Sequence, residues 1–205
     1  MKNVRERAPK KLSETKIFVH GRLSFCHLDK PWSGAEGNEP KYSVSLIIPK
    51  GHTQTIAAIE NAIESAVKEG TTKKWEGKRP NVKSSNFKYP LKDGDVERPN
   101  DEAYKGCMCI TCSSDRPVKV YRVIGGVETE VDPTEAYSGC WGYVMIGCFP
   151  FNKGSKGVSA GLDGVVKTVD DERLGGAVGM SVKDLAGLEL DSDDEDGDPD
   201  DLFDN

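Results

Sequence analysis

Three thiols fall within six residues: Cys107, Cys109 and Cys112, in the run CMCITC. Zinc accepts such ligands, but it needs four, commonly as two separated pairs of the C-x-x-C type. Here the spacing is irregular and no second pair follows. Alternation along an extended chain also turns Cys107 and Cys109 to one side and Cys112 to the other. We read the three as small hydrophobes and expect neither metal nor cofactor. GLDGVVKT (161–168) imitates a phosphate-binding loop, yet that loop needs Gly immediately before its Lys, and Val166 stands there. Only His20, His27 and His52 could serve as imidazole bases, and no nucleophile elbow or metalloprotease helix accompanies them. Catalysis is not expected.

A different chemistry is better supplied. Binding a single nucleic-acid strand requires cations to meet phosphates and flat side chains on which bases stack. KKWEGKR (73–79) offers Lys73, Lys74, Trp75, Lys78 and Arg79, followed closely by Lys88 and Tyr89. FPFNKGSK (149–156) offers Phe149, Phe151, Lys153 and Lys156 at a strand end and turn. Phe18 and Arg22 share the outward side of an alternating segment, and Tyr143 takes the outward parity of another.

The elements that must position these residues are mostly strands. Lys16 to Phe25 alternates, with Ile17, Val19, Leu23 and Phe25 on one side and Phe18, His20 and Arg22 on the other. Lys41 to Ile48 places Tyr42, Val44, Leu46 and Ile48 on one face and is stopped by Pro49. Thr53 or Thr55 should cap a helix with the apolar face Ile56, Ile59, Ile63 and Val67, closed by Gly70. From Lys68 to Lys92 the chain reads as a basic loop, with eight Lys or Arg against Glu69 and Glu76. Cys107 to Ser113, Val118 to Ile124, Gly139 to Phe149 and Val158 to Val169 supply further strands. Five to seven short strands and one principal helix imply a mainly β fold, a small antiparallel barrel or sandwich.

Composition divides the chain. Its net charge is −6, but Glu189 to Asn205 holds ten acids and no Lys or Arg, so residues 1–188 carry +4. A mildly basic body joined to an acidic tail is compatible with an anionic partner. The tail cannot bury enough apolar area to fold alone. Its terminal Asp200, Asp201, Leu202 and Phe203 give a partner's basic, apolar pocket something to grip. The longest uncharged stretch, Ala136 to Asn152, is broken by glycines and Pro150, so no membrane span is expected. Six cysteines in such a chain read as reduced thiols rather than a disulfide framework.

Taken in order, several blocks resemble a family of phage single-stranded DNA-binding proteins, similar to the replication proteins of T7-like phages. These are EPKYSVSLIIPK (39–50) with the helix after it, KKWEGK (73–78), LKDGDVERPNDEAYKGC (91–107), DPTEAYSGC (132–140), FNKGSKGVSAGL (151–162) and LGG (174–176). The resemblance implies an OB-fold barrel with an acidic tail, and binding of single-stranded DNA without sequence preference during phage replication or recombination. It also implies homodimers, tail contacts with a phage or host DNA polymerase and primase-helicase, and a location in the cytoplasm of the infected bacterial host. The aromatic-basic turn of the family matches Phe149, Phe151 and Lys153, and its basic segment matches Lys73, Lys74, Trp75 and Lys78. The expected organisation is a flexible basic arm (1–15), the OB-fold domain (16–176), and a linker with a disordered acidic tail (177–205). The rival reading is a replication adaptor with no DNA affinity of its own.

Overall fold

Residues 4–34 and 36–175 are described by the computed structural model. In chain order they form β1 (Lys10–Lys11), β2 (Lys16–Trp32), β3 (Lys41–Pro49), α1 (Thr53–Lys73), β4 (Leu91–Asp93), α2 (Gly94–Glu97), β5 (Cys107–Ser114), β6 (Val120–Ile124), β7 (Val127–Val131), a 3-10 turn (Pro133–Glu135), β8 (Trp141–Lys153) and β9 (Ser155–Val169). Five of these strands close on themselves. β5 pairs β3, β3 pairs β2, β2 pairs β8 and β8 pairs β9, all antiparallel. β9 then meets β5 in parallel, where Ser113 faces Gly161. The fold is mainly β, an OB-like closed barrel with one principal helix. β4 extends the sheet beyond β5, and the β6–β7 hairpin extends it from β9.

Alternation fills the interior. Ile17, Val19 and Leu23 of β2, Val44, Leu46 and Ile48 of β3, and Val144, Ile146 and Cys148 of β8 all enter one core cluster. Cys112 joins it from β5, whereas Cys107 and Cys109 pack with Ile47 and Tyr104 in a smaller cluster on the other side. The two-way parity expected of the thiols is therefore present. α1 buries Ile59, Ala62, Ile63, Ala66 and Val67 and packs against β8 and β2.

Both ends of α1 differ from expectation. No threonine caps it; the N-cap is His52, without a side-chain bond. Instead the Glu6 carboxylate accepts the Thr55 amide at 2.9 Å, placing negative charge where the helix dipole favours it. Lys10 and Lys11 pair with Phe18 and Ile17. The described part of the expected flexible arm is thus tied to the barrel. At the other end the helix passes Gly70 and stops at Lys73. Gly70 is required by close packing: a Cβ there would lie 2.6 Å from the Pro150 Cβ and 2.7 Å from the Trp75 ring.

The outward side of β2 is covered as well. His20 is fully buried, stacked on Trp141 and tilted against Tyr143. Thr168 Oγ1 donates to the Trp141 carbonyl, so it must accept from His20 Nε2 at 2.9 Å. That fixes the neutral Nε2–H tautomer and leaves Nδ1 buried without a partner. Burial, with help from Arg7 and His52, depresses the His20 pKa from 6.5 to about 4. The unfolded chain therefore takes up this proton before the folded one does, so stability is complete above 6.5 and lost as pH falls towards 4. Melting curves should show this fall beginning below pH 6.5, with a shallower pH dependence in His20→Asn between 6.5 and 5.

Candidate nucleic-acid interface

β8 runs beside β9 from Gly142↔Lys167 to Lys153↔Ser155, and its odd-numbered residues face outward near the hairpin tip. Phe149 is 49% exposed, whereas Cys148 and Pro150 on the opposite parity are buried. Two glycines on β9 make room for the rings. A Cβ at Gly157 would lie 2.6 Å from the Phe151 ring, and one at Gly161 would lie 3.3 Å from the Phe149 ring. Both aromatics therefore lie against bare backbone.

A groove of about 550 Å³ opens beside them, lined by Phe151, Lys88, Tyr89, Lys92, Arg98 and Tyr104. Its floor carries the hydroxyls of Ser45, Thr111, Ser113 and Ser159. Ser45 and Thr111 share a 2.7 Å hydrogen bond across β3 and β5. A second groove of about 530 Å³ shares Phe87 and Lys88 and adds Asn81, Asn86 and Lys156. Lys88 links the two because its backbone pairs with β9: its amide donates to Lys156 O and its carbonyl accepts from Val158 N, both at 3.0 Å. Burial, then Glu60 and Glu64, push the Tyr89 phenol above its ordinary pKa, so it stays a neutral hydroxyl.

The charges around these grooves are distributed unevenly. Many of the cations elsewhere are paired: Lys16 with Asp163, Lys41 with Asp115, Lys50 with Asp93 and Asp95, Lys119 with Glu130, Arg122 with Glu135; in the first groove Lys92 is paired with Glu97. Among the described residues no carboxylate lies within ion-pairing reach of Lys74, Lys78, Lys83, Lys88, Lys153 or Lys156. All six lie on the 74–88 segment or at the β8–β9 tip. A group of unpaired lysines on these two segments thus adjoins exposed Phe149 and half-buried Phe151 and Tyr89.

The expected site residues divide accordingly. Lys88, Tyr89, Phe151 and Lys156 line the grooves, and Phe149 and Lys153 flank them. Lys73 is instead paired with Glu69, and Arg79 makes two 2.8 Å bonds to Glu64. Phe18 and Tyr143 are half-buried on β2 and β8 and line neither groove.

Two expectations are corrected. Trp75 is 1% exposed. It packs edge-on against Phe87 and donates its indole N–H to Phe151 O at 3.1 Å, so it anchors the basic loop rather than offering a stacking face. Arg22 is 2% exposed. Its guanidinium donates to Gly139 O at 2.9 Å and Glu172 O at 2.8 Å, with Asp171 at 3.8 Å. It clasps the end of the described chain and has no surface for a phosphate. The expected partner handle, Asp200, Asp201, Leu202 and Phe203, lies outside the described residues.

The serine and threonine floor and Arg98 were missed from sequence. The polar half of the alternation Tyr42-Ser43-Val44-Ser45-Leu46 was the available signal, since every second residue there is a hydroxyl facing away from the core. Among the described residues no group of three His, Cys, Asp or Glu side chains could hold a metal. Burial raises the thiol pKa of Cys26 to about 12, Cys148 to about 12 and Cys140 to about 11, so all three stay protonated at neutral pH.

The model of one family, described as the Enterobacter phage Enc34 ssDNA-binding protein, matches residues 15–198. The chain belongs to this family. The Enc34 single-stranded DNA-binding protein, solved in complex with ssDNA, is 31% identical with a TM-score of 0.64, covering 82% of this chain and 98% of that one. Its C-terminal truncation is 29% identical with a TM-score of 0.61, covering 83% and 99%. The putative protein p50 of Acyrthosiphon pisum secondary endosymbiont phage 1 is 26% identical over 175 residues, 82% of this chain and 91% of that protein. A single-stranded DNA-binding protein of bacteriophage T7 is 15% identical with a TM-score of 0.50, covering 74% and 91%, a likeness of fold alone.

Stability measurements separate the anchors from the exposed face of this family member. Arg22→Met should cost about 3–5 kcal/mol, because buried acceptors and a carboxylate lose their cation. Trp75→Ala should cost about 3–5 kcal/mol as a buried aromatic truncation. Phe149→Ala should cost less than about 1 kcal/mol. Denaturant unfolding of the three variants checks the order.

Proposed function

We propose that this protein binds single-stranded DNA without reading its sequence and coats strands exposed during phage DNA replication, in the cytoplasm of the infected host. The observation that carries this reading is the coincidence of unpaired lysines, one exposed and one half-buried ring lying on glycine backbone, and a hydroxyl floor on one side of the barrel. Cations meet phosphates there, and Phe149, Phe151 and Tyr89 take base faces, which every base possesses. The long helix α1 packs its apolar face on β8 and β2 and lines neither groove. The family membership and the Enc34 relative solved with ssDNA support the same reading.

The proposal is non-enzymatic and extends to organisation and partners. Residues 16–176 serve as the DNA-binding domain and 177–205 as a linker and acidic tail. Asp200, Asp201, Leu202 and Phe203 engage a replicative polymerase or primase-helicase, and the working form is a homodimer. The tail composition and the resemblance to T7-like replication proteins support these finer roles, including a part in recombination.

Titration with poly-dT and with duplex across a salt series tests the core of the reading. Poly-dT should bind far more tightly, and log affinity should fall with log salt by roughly 0.7 for each phosphate neutralised. Phe151→Ala should weaken single-strand binding by about 1–3 kcal/mol, and the Lys153→Ala, Lys156→Ala pair should flatten the salt slope. Equal affinity for duplex, or a salt-independent affinity, contradicts the proposal.

A further inference from the structure

β2 continues past its barrel pairing with β8 and bends sharply at Phe25. The register against β3 shifts between Ser24 and His27, and Phe25 takes a φ of 47°. A bulky side chain in the left-handed region costs free energy and persists only where its surroundings impose it, most often at functional sites. Bulges likewise re-aim side chains. Both features act on one residue, and their result is that Phe25, assigned by alternation to the core face, is 38% exposed.

Arg98 and Tyr104 gather beside it, and an aromatic pair lies farther along β2. The Arg98 guanidinium lies 4.2 Å over the Phe25 ring and 5.4 Å from that of Tyr104. Arg98 and Tyr104 both line the groove described above. His27 stacks on Trp32 at 4.7 Å and 15°, and Trp32 is 55% exposed. The paired strands connect this cluster to Phe149. Gly161 of β9 faces Ser113 of β5, Ser113 faces Ser43 of β3, and Ser43 faces His27 of β2. Cross-strand partners share a face, so a hydroxyl row with no bulky side chain runs from one aromatic group to the other. Three strand spacings separate its ends, about 14 Å.

We propose that Phe25 and Trp32, with Arg98 as their cation, form a second base-stacking station, and that a single nucleic-acid strand crosses the hydroxyl row to reach it from Phe149 and Phe151. This rests on reading the grooves as a single-strand site and extends that site to residues that neither composition nor alternation selected. Stacking at each end with hydroxyls between them makes affinity depend on oligonucleotide length, because only a strand spanning the row engages both stations.

The chain provides its own reporter. Of its three tryptophans, Trp75 and Trp141 are 1% and 0% exposed, so bases stacking on an indole can only meet Trp32. Full-length protein is titrated with oligothymidylates from about 4 to about 16 nucleotides, the range of OB-fold site sizes. Binding and intrinsic emission are recorded for wild type, Trp32→Ala and Phe25→Gly. The glycine variant removes the ring while relieving the positive φ, so its melting temperature should hold or rise and any loss of affinity is not a loss of fold.

The expected result is quenching of wild-type emission by the longer oligonucleotides only, and no such quenching in Trp32→Ala. Both variants should lose roughly tenfold in affinity for the longer strands, with affinity for the shortest unchanged. If both variants bind the longer strands as wild type does, or quenching survives in Trp32→Ala, the second station is refuted while the single-strand reading stands. If wild type binds no oligonucleotide in a salt-dependent way, both readings fall together.

Discussion

The barrel closes where β9 meets β5 at Ser113 and Gly161, and the surface chemistry depends on how that closure is made. A side chain at 161 would come within 3.3 Å of both the Gly147 carbonyl and the Phe149 ring. Glycine lets β9 lie close to β8 beside this closure and, in the same step, leaves backbone exposed for a ring to lie on. Gly157 repeats the arrangement under Phe151 and Lys88. The β8–β9 pairing next to the closure thus furnishes the exterior with aromatic faces.

Electrostatics follow from what is tied down. A chain with net charge −6 does not repel a polyanion uniformly, because potential is local and exposed charges are screened within about 10 Å at ordinary salt. Most of the cations away from the grooves are paired with nearby carboxylates, whereas the lysines of the 74–88 segment and the β8–β9 tip are not. Trp75 holds that segment in place, with its indole on Phe151 O and its ring on Phe87. Asn152 adds a bond to Lys74 O at 3.4 Å. A buried aromatic therefore positions mobile cations beside exposed aromatics.

Much of the fold was legible in the sequence, because inward residues at period two report directly on burial: β2, β3, β5 and β8 appear where alternation placed them, and the interior faces match. The errors have physical causes. Alternation identifies two faces of a strand but not what covers each, so Arg22 was assigned to solvent although the segment after β9 packs over it. Trp75 sits among lysines in sequence, and composition cannot distinguish a ring that anchors a loop from one that offers its face. The Phe25 assignment failed because a bulge inserts a residue and reverses parity beyond it, which no count of alternating residues detects. The β6–β7 hairpin around Gly125 and Gly126 was seen only in its first strand, since Val127-Glu128-Thr129-Glu130-Val131 has few apolar residues and little burial. The basic turn at Phe149 to Lys156 was found because its chemistry and its exposure coincide.

Ultraviolet crosslinking of a photoreactive oligothymidylate, followed by peptide mapping, most directly tests the proposed path of a single strand along one side of the barrel. Crosslinks confined to peptides carrying Lys88 and Tyr89, Phe149 and Phe151, the β3 and β5 hydroxyls, and Phe25, Trp32 and Arg98 for strands long enough to span the row, are the predicted result. Crosslinks concentrated on the solvent face of α1 or on the β6–β7 hairpin would contradict it.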